Sequence, residues 1–159
     1  MCSSDLANRV IALDCAYHFS SRSRFLQLAS QNMRSGGRIA LTDIMLSNRS
    51  RIRFPECWIL AIMLSLSRIP RPNLVTESDY LDELREAGFE QIELRDISPD
   101  VMPSFANWWR MYRHTADARA LAVSSRLKYN ATARFLDWAH RNNILRYSLI
   151  TATRSRPAR

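Results

Sequence analysis

The chain has 159 residues, 47% of them hydrophobic, which suits a single domain with a real core and excludes a disordered tract. Its formal charge of +8 is uneven. Residues 1–100 carry 12 basic and 13 acidic groups, whereas residues 101–159 carry 11 basic groups against Asp117 and Asp137 alone. This excess permits weak contact with nucleic acid or with an anionic membrane surface, but the arginines are scattered rather than gathered on one reading face, so there is no strong nucleic-acid signal. The three cysteines, Cys2, Cys15 and Cys57, have no metal spacing and are odd in number, which argues against a disulfide framework and for a reducing, cytoplasmic setting. His114 and His140 have no partners at ligand spacing, so no metal site is expected. The longest apolar run, Cys57–Leu66, is half of what a bilayer span needs.

In chain order, Arg9–Leu13 is the first firm element, an unbroken apolar run of the kind that forms a strand buried on both faces and ends at Asp14. Ser20 and Ser21 can cap a helix carrying Phe25, Leu26, Leu28, Ala29 and Met33 at helical spacing, and Gly36 and Gly37 are expected to stop it. Ile39, Ala40 and Leu41 restart a strand that meets Asp43. Two strands joined by a helix are expected to be parallel neighbours, with Asp14 and Asp43 leaving at the same sheet edge.

Glu56–Arg68 is apolar almost all round, which predicts a core or cap helix, a substrate lid or a membrane-facing helix. Thr76 and Asp79 fit a capping box, Gly88 ends the helix they start, and Phe89–Ile97 alternates as a half-exposed strand. Pro99 and Pro103 predict a connector, followed by helices over 104–122 and 130–141. Asn142 and Asn143 make a turn, 145–153 reads as a last strand, and 154–159 as a basic, disordered tail.

Two segments carry a family resemblance. The first is Ala12–Phe19, ALDCAYHF, followed by a helix and by Gly36–Asp43, GGRIALTD. The second runs from Thr76 through Tyr80 and Leu84 to Ala87-Gly88-Phe89 and on to Asp96. Together they resemble the second half of a class I S-adenosylmethionine-dependent methyltransferase, of the small-molecule branch that acts on sugars, sterols, tocopherols and other lipids. Ser35 stands where the family usually has proline before its glycine pair. The resemblance implies an α/β fold: a partial Rossmann-like sheet of about four strands, the last antiparallel, with flanking helices and a helical cap, over residues 9–153.

The resemblance also implies S-adenosylmethionine as cofactor and a small apolar, lipid-like or sugar-like acceptor. It places Asp14, Cys15 and Ala16 beside the cofactor's methionine part, His18 and Asp43 as catalytic base and its orienter, and Tyr17, Trp108, Trp109 and Tyr112 against the acceptor. From the residues alone, each has a plainer alternative: His18 as a loop histidine, Asp43 as a cap for the next segment, Cys15 as a small buried filler, and the aromatics as core. The family's glycine-rich cofactor loop lies N-terminal to the first matching strand, and Gly36, Gly37 and Gly88, the chain's only glycines, cannot form it. We therefore expect a chain matching the family from its fourth strand onward, either catalytic or a non-catalytic remnant that serves as a binding module. The bare edge of the first strand would favour pairing with missing strands or with a second copy.

Overall fold

A computed structural model describes residues 6–47 and 54–156. Cys2, most of the arginine-rich segment after Ser47, and the last three residues of the expected tail lie outside them. The elements are β1 (Ala7–Ala12), α1 (Arg22–Gln31), β2 (Met33–Leu46), α2 (Glu56–Leu66), α3 (Glu77–Glu86), β3 (Phe89–Asp96), α4 (Ser98–Tyr112), α5 (Ala116–Ala120), α6 (Val123–Arg141) and β4 (Leu145–Arg154). Short 3-10 turns cover Ala16–His18 and Arg71–Asn73.

The four strands form one sheet in the order β1-β2-β4-β3, with β1 parallel to β2 and β4 antiparallel to both its neighbours. The expected sheet is therefore present, and β1 and β2 are adjacent, Ala12 lying opposite Leu41. Strand alternation divides the residues between two faces. Ala12, Ile39, Leu41, Met45, Ile150 and Ala152 join Leu26 and Ala29 of α1 and Tyr80 and Leu84 of α3 in one buried cluster. Towards the carboxyl end of β2 the other face packs Leu46, Leu145 and Tyr147 with Leu60 and Leu64 of α2, Met102 of α4 and Ala139 of α6. Helices α2, α4 and α6 thus form a cap over that end.

Local chemistry explains most element ends. Ser21 caps α1, its hydroxyl accepting from Arg24 N. Thr76 and Asp79 make the expected capping box, each side chain accepting the other's backbone N–H at 3.3 Å. Gly88 takes φ +86°, a conformation that side-chain-bearing residues rarely adopt.

Several boundaries differ from expectation. Helix α1 stops at Gln31 with Asn32 as C-cap, so the glycine pair does not end it. Gly36 and Gly37 instead lie within β2, where the register against β1 jumps from Ala7–Met33 to Arg9–Arg38. A Cβ at Gly37 would sit 2.8 Å from Arg34 O and 3.1 Å from Asn8 O, so this irregularity needs a bare backbone. Helix α4 begins at Ser98 and contains both prolines expected in a connector. Pro99 lies in the first turn, where its missing N–H costs nothing. Helix α6 starts seven residues earlier than expected, at Val123 rather than Asn130. Strand β4 runs through Arg154, one residue past the expected end, where it pairs with Phe89, and Ser155 hydrogen-bonds Gly88 O. Helix α2 buries Leu60 and Leu64 but leaves Trp58, Ile62 and Leu66 exposed.

Candidate active site

Three elements converge where β1 ends. Asp14 leaves the strand at φ +55° with its backbone N–H donating to Thr42 Oγ1 at 2.8 Å. The 3-10 turn that follows carries Ala16, fully buried, then Tyr17 and His18, whose rings lie 4.4 Å apart. From β4, Tyr147 reaches the same place. Both phenols donate to one oxygen of Asp14, Tyr147 at 2.8 Å, and Tyr147 Oη also lies 3.1 Å from Thr42 Oγ1. Burial, followed by the hydrogen bond to Asp14, holds the Tyr17 hydroxyl well above its ordinary value. Tyr147 is pushed up to about 12, chiefly by burial. Both tyrosines therefore stay protonated at neutral pH and cannot act as bases.

These groups edge a cavity of about 310 Å³ under the cap. Asp14, Tyr17, His18 and Tyr147 form its polar edge. Ile44, Leu64, Val101, Met102, Phe105 and Phe135 form much of its apolar wall.

Asp43 does not reach this cavity. Strand β2 continues to Leu46, so Asp43 is an interior strand residue rather than the tip, and alternation turns it to the α1/α3 face. There it is fully buried. Its carboxylate accepts from Tyr80 Oη and Ile44 N, each at 2.8 Å, and lies 3.6 Å from Arg22 Nη1. Arg22, only 1% exposed, also bonds Glu83 at 3.0 Å, donates to Asn73 O at 2.6 Å and stands over the Tyr80 ring at 4.1 Å. Burial raises the Asp43 carboxyl above its ordinary value, opposed by the Arg22 charge and the Tyr80 hydrogen bond. His18 and Asp43, expected as a pair, are thus on different faces. The cluster around Arg22 still touches the site through Asn73, whose amide donates to Tyr17 O and Phe19 O while its oxygen accepts from Arg22 N.

The aromatic expectation also needs correction. Trp109 is buried between α4 and α6, its indole N–H donating to Asn130 at 2.7 Å. Trp108 stacks on Tyr112 with ring centres 4.9 Å apart and is 46% exposed. None of these three lines the cavity; Phe105, one helical turn earlier, does. Tyr147 and Thr42 were not anticipated, because a tyrosine and a threonine in apolar strands carry no signal that separates them from packing. Cys15 is half-buried and Cys57 exposed, both as free thiols. Among the described residues no cluster could hold a metal ion, and no helix is long and apolar enough to cross a membrane.

The fold and site can now be set beside known proteins. No family model matches the chain. Erythromycin 3''-O-methyltransferase of Saccharopolyspora erythraea is 30% identical over 132 residues, which are 81% of this chain and 42% of that protein. (+)-O-methylkolavelool synthase of Herpetosiphon aurantiacus is 27% identical over 104 residues, 65% of this chain and 34% of that one. Phosphoethanolamine N-methyltransferase 2 of Haemonchus contortus, solved with S-adenosylmethionine, superposes with a TM-score of 0.76 at 11% identity, over 94% of this chain and 33% of that one. This is the fold of the C-terminal half of a class I S-adenosylmethionine-dependent methyltransferase. The chain spans less than half the length of the curated relatives it matches. Within that fold, Asp14, Cys15 and Ala16 stand at the carboxyl end of β1, and the cavity lies beside Asp14 under the cap.

Proposed function

We propose that this chain is the acceptor-binding half of a methyltransferase that methylates a hydroxyl of a small, largely apolar molecule. The observation that carries the proposal is the cavity under the cap, apolar over most of its wall and polar only along the edge at the end of β1. Such a pocket suits a molecule that buries hydrocarbon and presents one polar group. The names of two relatives, an O-methyltransferase and an O-methyl product synthase, support oxygen as the methylated atom.

The residues after β1 fit one side of S-adenosylmethionine: Asp14 keeps an exposed carboxylate and Cys15 is half-buried, with Ala16 fully buried behind them. Bound there, the cofactor would supply an electrophilic methyl group. Asp14 and Cys15 would form the wall beside its methionine part, with Ala16 packed behind it. The free edge of β1, where Ile11 is 67% and Leu13 61% exposed, is where we place pairing with the cofactor-binding strands of a complete domain.

The remaining chemistry falls to the chain's own side chains. Tyr17 and Tyr147 spend their protons on Asp14, so each phenol oxygen has lone pairs left for the cavity. They can accept from an acceptor O–H and orient it. His18 lines the cavity beside them, and its imidazole is placed to take the proton as the oxygen is methylated. Asp43 acts at one remove: with Arg22 it fixes Asn73, which holds the Tyr17–Phe19 backbone.

The test is a methyl-transfer assay with labelled S-adenosylmethionine and apolar alcohols, on this chain joined to the cofactor-binding strands of a complete domain, run beside a calorimetric cofactor titration of the chain by itself. Transfer to an alcohol that is lost in His18→Gln while cofactor binding persists is the expected result. Cofactor binding without transfer to any alcohol would support the non-catalytic reading. No cofactor binding at millimolar concentration would reject activity of this chain by itself.

A further inference from the structure

The acceptor cavity does not end at the cap. A second, outer chamber of about 470 Å³ adjoins it, and His18, Met63, Ser67 and Thr132 line both. Three polar side chains therefore ring the junction. Beyond it, Leu66 of α2 and Leu127 of α6 line the outer chamber although they are 69% and 63% exposed. Large apolar side chains left in water on two facing helices are costly unless something covers them. The charges of the two chambers differ. The inner one has the carboxylate of Asp14, while the outer one has Lys128, the only lysine of the chain, and among the described residues no carboxylate lines it.

We infer that the acceptor site is bipartite and takes an amphiphile, whose hydrocarbon lies across Leu66 and Leu127 and whose anionic group meets Lys128. This rests on the acceptor-site reading above and deepens it. The Asp14 edge repels an anion, and Lys128 attracts one, so the two chambers set the orientation of the bound molecule. A hydroxyl held by the tyrosine pair and a carboxylate or phosphate at the outer end is the chemistry they select. Apolar contact supplies most of the affinity, and the exposed cation of Lys128 supplies the preference between head groups. Lys128 is thus a specificity residue, not part of the transfer chemistry.

The experiment is calorimetric titration of the wild-type chain with decanoate, decyl phosphate and decanol, each below its aggregation limit, at about pH 8 where the carboxylate is ionised. Decanoate or decyl phosphate should bind about fivefold more tightly than decanol, the better of the two identifying the head group. Lys128→Gln should abolish that preference and leave decanol binding unchanged. Leu66→Asp, a change at an exposed position that leaves the core intact, should weaken all three. Equal affinity for the three ligands, or a preference that survives Lys128→Gln, would overturn the inference while leaving the inner site as acceptor pocket. Failure of every ligand to bind would overturn the acceptor-site reading together with it.

Discussion

The two faces of the sheet solve opposite problems. On the α1/α3 face a buried arginine is surrounded by two carboxylates, a backbone carbonyl and a tyrosine ring. On the cap face the polar groups stand at the edge of an apolar cavity, with hydrogen-bonding capacity left over. Asp43 and Ile44 are consecutive, yet one serves the first face and the other the second. Polar residues near a strand's carboxyl end are therefore not all site residues; the parity of the position decides which face receives them. Among the described residues Asn73 links the two, tying Arg22 to the backbone of the Ala16–His18 turn.

This division can be broken from either side. Arg22→Met should have the largest effect on folding, because it leaves Asp43 and Glu83 without their cation; removing one partner of a buried pair costs about 3–5 kcal/mol. Urea denaturation would measure it, and a loss under about 1 kcal/mol would mean that the network does not hold the fold. His18→Gln should do the reverse. Stability should stay within about 0.5 kcal/mol, as expected for an exposed residue. Turnover of an alcohol acceptor should fall about a hundredfold to ten-thousandfold, the usual contribution of a general base.

Tyr147→Phe probes the edge between these extremes. It deletes the 2.8 Å bond to Asp14 and should cost about 0.5–1.5 kcal/mol in denaturant, with weaker binding of hydroxyl-bearing ligands. The smallest signal is a slope. The Asp43 carboxyl is raised by burial, so folding takes up a proton there between its ordinary value of 3.8 and its raised value. Its contribution to stability is complete below that lower value and is lost as pH rises through the higher one. Asp43→Asn removes this titration. The stability of wild type relative to the variant should therefore decline from acid to neutral pH, and a gap that widens would contradict the assignment.

The local signals that the sequence carried plainly were those with one physical solution. A capping box at Thr76 and Asp79 satisfies two backbone donors reciprocally. The parallel pair β1–β2 follows from two apolar strands with a helix between them. Signals with two solutions stay open in the sequence. A glycine pair stops a helix or relieves a strand irregularity, and here Gly37 does the second because Asn8 O passes close by. Aromatics at helical spacing line a pocket or join two helices, and the indole of Trp109 found Asn130 of α6. The polar edge is half visible: Asp14, Tyr17 and His18 fall within one five-residue stretch, whereas Tyr147 comes from 133 residues away and the antiparallel return of β4 brings it in.

The methionines offer the most direct test of the division between faces. Met63 and Met102 line the cap cavity, Met33 and Met45 are fully buried on the α1/α3 face, and Met111 is 77% exposed on α4. In a chain labelled with methyl-13C methionine, titration with decanol should shift the Met63 and Met102 resonances in a saturable way and leave Met33 and Met45 in place. Shifts centred on Met33 and Met45, or on Met111 alone, would contradict the assignment of the cap cavity as the ligand site.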